Sequence, residues 1–215
     1  MPADAREQMI EHQVRAWDVL DERVLDTLRK VPREHFTPPQ YRFMAYADAE
    51  VPLPGSQHML RPSVVGRLLA ALELTGRERV LEIGTGSGFV TACLSTLAKS
   101  VQSLEIVPEL TDMARRMIGS MGLRDIDVVS TDALTFEPTG RFEAIAVTAS
   151  MPVYDDRWQR SLSIGGRLFV VVGDAPVMEA KRIRRVAEDA WTEESLFETV
   201  IDPLVHAQRP VAFKF

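Results

Sequence analysis

The segment Val80-Leu81-Glu82-Ile83-Gly84-Thr85-Gly86-Ser87-Gly88 constrains the fold more than any other part of the chain. A short apolar run that ends in alternating glycines reads as a strand turning into a helix. Glycine at such a turn lets a ligand approach the backbone closely. An acid, Glu105, ends the next apolar run about 20 residues on, where it can accept from ribose hydroxyls. Two kinds of nucleotide ligand fit these features. The dinucleotide pattern G-x-G-x-x-G seats a pyrophosphate on the helix N-terminus. Here the third glycine comes one position early, at Gly88, and Phe89 fills the slot that pattern gives to glycine. Glu82 precedes the loop by two residues. A carboxylate there repels a pyrophosphate and suits the ammonium group of a methionine moiety. The charge therefore favours S-adenosylmethionine over NAD. A third acid, Asp132, lies just past the third strand and is placed to accept from an adenine amino group.

Up to about Lys30 the chain reads as helix. Met9, Gln13, Ala16 and Leu20 fall on one side, and Val24, Leu25 and Leu28 continue the stripe. Asp21 is the expected N-cap of the second part, and Pro32 ends the pattern. Residues 36–62, punctuated by Pro38, Pro39, Pro52, Pro54 and Pro62, read as irregular, and a loop this long is often functional. Ser63 is the expected cap of a helix that buries Val64, Val65, Leu68, Leu69 and Leu72. Strands are then expected at 79–83, 101–106, 126–130, 144–148 and 167–172. Helices are expected at 89–98, from Pro108 to about Met121, and at 155–162, the last stopped by Gly165-Gly166. Residues 181–186 and 191–200 read as two strands around the polar turn 187–190. The pattern predicts one α/β domain over 1–215: N-terminal helices and a substrate loop in 1–75, then a cofactor-binding core in 76–215. Its sheet is doubly wound and Rossmann-like, mostly parallel, with a C-terminal antiparallel hairpin.

Composition excludes some functions. Apolar residues are 46% of the 215, enough for a packed core. The net charge of -6 argues against a nucleic-acid surface. Arg182, Arg184 and Arg185 are flanked by Glu179, Glu188 and Asp189 and read as a solvated strand face. The one cysteine, Cys93, excludes an internal disulfide and reads as a small buried apolar residue. Residues 1–10 lack the apolar run of a signal peptide, and no stretch reaches a membrane span. The expectation is a soluble, cytoplasmic protein. His12, His35 and His206 share no metal-ligand spacing, so no metal is expected. Ser87 lacks the G-x-S-x-G context of a nucleophile. Trp17, Trp158 and Trp191 read as packing or lid residues. Val211, Phe213 and Phe215 alternate as an edge strand or a dimer contact, which leaves monomer and homodimer both open.

Several segments occur together in one order: Val31-Pro32-Arg33-Glu34-His35-Phe36, Ala45-Tyr46-Ala47-Asp48, the run from Glu82 to Phe89, Val147-Thr148-Ala149-Ser150-Met151-Pro152, Gly165-Gly166-Arg167-Leu168 and Asp202-Pro203-Leu204. On these the chain resembles the protein-L-isoaspartate O-methyltransferase family, as a divergent member. The resemblance implies a class I methyltransferase sheet and S-adenosylmethionine as donor, with S-adenosylhomocysteine as product. It implies a protein or peptide partner with isoaspartyl residues, whose abnormal carboxylate is methylated so that the ester closes to a succinimide. It also implies the site. Glu82, Gly84, Thr85, Gly86, Ser87, Gly88, Glu105, Ile106, Asp132 and Ala133 would hold the cofactor. Gln57, Leu60, Arg61, Thr148 and Ala149 would hold the substrate. A carboxylate is already ionised at neutral pH and needs no general base, so positioning carries the rate.

The substrate loop departs from the family. The family has Gln-Thr-Ile-Ser there, then Pro one residue later; this chain has Gln57-His58-Met59-Leu60, then Arg61-Pro62. Pro54 and Ser56 stand where glycines are usual. Leucine cannot donate to a carboxylate. One reading keeps the acceptor and holds it with backbone amides and Gln57, or with Arg61 in place of the hydroxyl. A second makes His58 a general base for a small-molecule hydroxyl or amine. A third is a cofactor-binding partner protein without turnover.

Overall fold

The computed structural model describes residues 2–209. Helix α1 (Pro2–Met9) passes through a π turn at Ile10–Val14 and a 3-10 turn at Arg15–Trp17 before α2 (Glu22–Lys30). The Asp21 carboxylate accepts from the Arg23 N–H at 2.9 Å, as its sequence position indicates. The expected stripe ahead of it is displaced. Met9, Ile10, Val14 and Val19 are buried, whereas Ala16 and Leu20 face solvent. A π turn winds more residues into one turn, so the apolar face leaves the regular helical spacing.

After the short α3 (Arg33–Phe36), the proline-rich stretch is more ordered than its sequence indicates. It holds a 3-10 turn at Pro39–Met44 and a small antiparallel hairpin, β1 (Val51–Leu53) and β2 (Gln57–Met59), with His58 opposite Pro52. Helix α4 (Pro62–Ala71) buries the predicted face. Its cap is not Ser63 but Asp48. One Asp48 oxygen accepts from the Ser63 backbone N–H at 3.1 Å and from its hydroxyl at 2.7 Å. Ser63 lies inside the first turn, so an acid from outside satisfies the free amide.

The alternation then follows the predicted order. It comprises β3 (Arg79–Ile83), α5 (Phe89–Leu97), β4 (Ser100–Glu105), α6 (Pro108–Ser120), β5 (Ile126–Ser130) and β6 (Phe142–Met151). A single turn, α7 (Arg157–Arg160), precedes β7 (Leu162–Asp174), β8 (Val177–Ala187) and β9 (Ala190–Glu198). Gly165-Gly166 do not stop a helix. They lie within β7, in an irregularity between the pairs Leu162–Phe142 and Arg167–Ala144.

The sheet order is β5-β4-β3-β6-β7-β8-β9. Strands β5 to β7 run parallel, and β8 and β9 return antiparallel. The predicted sheet class holds. The chain leaves β3 toward β4 on one side and comes back at β6 on the other. This reversal opens a crevice at the C-terminal ends of β3 and β6, where doubly wound sheets bind ligands.

Packing corrects one reading and sharpens others. Arg182 and Arg184 pair with Glu73, as a solvated face would. Arg185 is only 3% exposed; it donates to the carbonyls of Leu162 at 2.7 Å and Arg160 at 3.1 Å, and ties α7 to the β8–β9 turn. The tryptophans are packing residues. Trp158 is fully buried, Trp17 meets Phe197 edge-on at 5.5 Å, and the Trp191 N–H donates to Gln159 O at 3.0 Å. Cys93 is buried on α5. Among the described residues no helix is long and apolar enough to cross a membrane. The alternation at Val211, Phe213 and Phe215 lies outside the described residues.

Candidate functional site

The crevice widens into a solvent-open cleft of about 910 Å³. Its floor is the loop Gly84–Ser87 between β3 and α5. Gly84 has φ +94°, and a Cβ there would lie 2.4 Å from the Thr148 hydroxyl. That hydroxyl, on β6, donates to the carbonyls of Ile83 at 2.9 Å and Gly84 at 2.5 Å. Thr148 therefore fixes the loop to the neighbouring strand, and only glycine leaves room for it. Gly88 also has positive φ, +87°, but it does not line the cleft. Its missing Cβ makes way for Ala114 and Ile118 of α6, at 3.1 and 3.2 Å. The constraint on glycine at position 88 is therefore the packing of α5 against α6.

The three acids divide. Glu105 is 4% exposed and lines the cleft. Its two oxygens accept from the Gly86 N–H at 2.8 Å and the Val107 N–H at 2.9 Å, which leaves the carboxylate acceptor capacity toward the cleft. Burial raises its pKa, and those backbone donors hold part of the rise back. Asp132 lines the cleft beside Ala133. One oxygen accepts from the Leu134 N–H at 2.9 Å, and the other meets His206 Nδ1 at 2.8 Å. Burial works against the charge of Asp132, but the bonds from His206 and Leu134 outweigh it and leave the pKa lowered.

Glu82 does not reach the cleft. It is fully buried behind the loop, where Ser103 and Thr91 hydroxyls each donate to one oxygen at 2.5 Å. Ser103 passes the connection on to the Thr85 hydroxyl at 2.6 Å. Burial pushes the Glu82 carboxyl up to about 8, against those hydrogen bonds, so it is mainly neutral at pH 7. The sequence argument from its negative charge therefore fails. Glu82 supports the loop through Ser103 and Thr85.

At the other end of the cleft stands the β1–β2 hairpin. Gln57, His58 and Leu60 line it. Gln57 is loosely held, with its amide 3.4 Å from Gly55 O. His58 Nδ1 lies 2.8 Å from an oxygen of Asp202. Arg61 does not line the cleft; its guanidinium donates to the Thr199 hydroxyl at 3.0 Å and covers the Trp17 ring at 5.9 Å. Ile106, Thr148 and Ala149 line the cleft.

Sequence reasoning missed three groups here. Arg33, 1% exposed, donates to Ala45 O at 2.9 Å and Leu60 O at 2.7 Å, with its guanidinium over Phe89. Burial brings its pKa down to about 10. It clamps the hairpin to the preceding segment, as Asp48 clamps α4. The signal was present in two of the quoted segments, but no spacing rule says what a motif residue touches. Glu50 lines the mouth, and burial, then Asp202, raises its pKa. Asp202 comes from the far end of the chain. Its segment is held to β6, because Ser150 N–H donates to Asp202 O and Leu204 N–H to Ser150 O, both at 2.8 Å.

The lining decides between the two ligand chemistries. Glu50, Glu105, Asp132 and Asp202 line the cleft, against one buried arginine. An anionic pyrophosphate is repelled by such walls, and a ligand with ribose hydroxyls, an ammonium and a sulfonium is not. The residues thus fit S-adenosylmethionine, for a better reason than Glu82 supplied.

The family model for protein-L-isoaspartate(D-aspartate) O-methyltransferase matches residues 4–209. The chain belongs to this family. A relative named protein-L-isoaspartate O-methyltransferase from Rhodopseudomonas palustris is 38% identical over 202 residues, 93% of each chain. Protein-L-isoaspartate O-methyltransferase 2 of Pelobacter propionicus is 38% identical over 205 residues, 94% of this chain and 91% of the relative. A solved structure assigned as a protein-L-isoaspartate O-methyltransferase, from Plasmodium falciparum, was determined in complex with S-adenosyl-L-homocysteine. It shares the fold at a TM-score of 0.78 and 18% identity, over 93% of this chain and 97% of that one. Both clamp residues, Arg33 and Asp48, lie in the segments that carry the family resemblance. The chain's departures gather at His58 and Leu60.

Proposed function

We propose that this chain transfers the methyl group of S-adenosylmethionine to the free carboxylate of L-isoaspartyl residues in proteins or peptides. The single observation that carries this reading is the family match over residues 4–209. The cleft supports it in detail. The sulfonium of the cofactor supplies an activated methyl. Glu105 is placed to accept from ribose hydroxyls with the lone pairs its backbone donors leave. The Asp132–Ala133 turn would hold the adenine, and the open backbone at Gly84 and Gly86 would hold the methionine portion. Ala149 and Leu60 give the acceptor end apolar walls that exclude water. The acceptor arrives ionised, so the chain has only to orient an oxygen and keep the site dry.

Two peptides that differ only in an isoaspartyl or aspartyl linkage, offered with labelled S-adenosylmethionine, test this. Base-labile label on the isoaspartyl peptide alone is expected. No label on either, with S-adenosylhomocysteine binding intact, rejects it. One observation favours a second reading. The His58–Asp202 pair has the geometry of a histidine oriented by an acid, which a hydroxyl or amine acceptor would require. Label on a hydroxyl compound that disappears in His58→Ala would support that alternative.

A further inference from the structure

We infer that His58 is the group that grips the acceptor's carboxylate, and that Asp202 holds the ring in place for it; this rests on the carboxyl-methylating reading above. The problem is one of charge. An ionised acceptor must enter a mouth lined by Glu50 and Asp202. Unopposed, these two carboxylates repel it. The hydroxyls of the family's loop are gone, because Leu60 lines the cleft without a donor. Arg61 is committed to Thr199 and Trp17 outside the cleft. Arg33 borders the cleft from beneath the hairpin at 1% exposure, with two nitrogens on the Ala45 and Leu60 carbonyls and one terminal nitrogen without a partner among the described residues. Its burial sets it back from the mouth, where the His58 side chain is 35% exposed. Gln57 carries no charge, and its amide turns to its own loop's carbonyls.

His58 is the cleft-lining group left with the needed chemistry. Its Nδ1 is engaged by Asp202 at 2.8 Å, in a contact between residues 144 positions apart. The ring therefore presents Nε2 to a ligand. Donation from both nitrogens, to Asp202 and to the acceptor's carboxylate, is the geometry of the imidazolium form, and this is the form the assignment uses. Asp202 is then a positioning residue. It fixes the ring through Nδ1, although the same carboxylate alone would repel the substrate. The charged groups around this pair are Glu50, which shares the cleft lining, and Arg61, whose charge acts on Glu50 from outside the cleft.

Steady-state kinetics on an isoaspartyl peptide test the assignment, with calorimetry of that peptide in the presence of S-adenosylhomocysteine as a readout independent of turnover. Wild type, His58→Ala, His58→Gln and Asp202→Asn are compared. In His58→Ala, KM and the calorimetric Kd rise about tenfold or more, the size of a lost charge-assisted hydrogen bond. Its kcat stays within about threefold, and S-adenosylhomocysteine affinity is unchanged. His58→Gln, which keeps a donor, recovers part of the loss. Asp202→Asn also raises KM, although removing a negative charge from the mouth would by itself lower it. Unchanged peptide affinity in His58→Ala overturns the assignment while leaving the proposed function in place. A loss confined to kcat overturns it in favour of a base. A fall in KM in Asp202→Asn overturns the positioning role. Failure of the wild type to label the peptide, with cofactor binding intact, instead rejects the reading beneath it.

Discussion

At the scale of single residues, the acids of the cleft show how environment assigns work to one side-chain type. Glu105 keeps lone pairs on a wall of the cleft, whereas Glu82, two residues before the glycine loop, is sealed behind it. Glu105→Ala should weaken S-adenosylhomocysteine about tenfold or more by calorimetry, as expected for lost hydrogen bonds to a charged acceptor. Equal affinity would remove the ribose assignment. For Glu82 the folded pKa of about 8 lies above its unfolded value. The native state then holds the extra proton between those values, so this group's contribution to stability declines as pH rises through that window. Glu82→Gln keeps an acceptor for Ser103 and Thr91 without an ionisable proton. Denaturant melts should show the variant losing less stability than wild type between pH 5 and 8, by at least about 1 kcal/mol. Parallel pH profiles would mean that Glu82 is charged in the fold. Glu105 was legible in the sequence because its spacing from a glycine loop is a local rule. The side on which Glu82 points was not, because strand direction and packing decide it.

At the scale of elements, the molecule uses two clamps to hold an irregular segment as a binding wall. Arg33 joins the hairpin β1–β2 to the segment before it, and Asp48 caps α4 directly after. Asp48→Ala should cost about 1 kcal/mol by denaturant melts, the usual loss for a removed helix cap. A cost near zero would leave Ser63 as its own cap. Gly88→Ala should be destabilising by about 1–3 kcal/mol, since it strains a positive φ and crowds Ala114. The strain belongs to the α5–α6 packing rather than to ligand contact. Cofactor affinity should therefore fall less than stability does, as calorimetry at a temperature where the variant is folded would show. The strands from 79 to 130 were legible because each is a short, largely apolar run closed by glycine or an acid. The hairpin was not. Three-residue strands broken by Pro52 and Pro54 carry no usable alternation, and the pairing with Met59 that makes them strands is a tertiary fact. The bend in β7 failed for a related reason. Gly165-Gly166 signals a break in either a helix or a strand, and only the register with β6 says which.

At the scale of the whole molecule, the sheet brings two distant segments of the chain to one cleft. The hairpin near residue 58 and the segment at residue 202 are joined by His58 and Asp202, and the segment continues to His206 on Asp132. Sequence pattern could name the donor half of the site, which is local to β3, β4 and β5. On the acceptor side it named His58 but not Asp202, because the two come together from positions 144 residues apart. The central claim is that this cleft esterifies a carboxylate that exists only when the backbone runs through an aspartyl side chain. The most direct measurement is fragmentation mass spectrometry of an isoaspartyl peptide after incubation with S-adenosylmethionine and the protein, read for the position of the added methyl. The account predicts an ester on the α-carboxylate of the isoaspartyl residue and an unmodified aspartyl twin. A methyl group on a hydroxyl, an amine or any ordinary carboxylate of either peptide would contradict it.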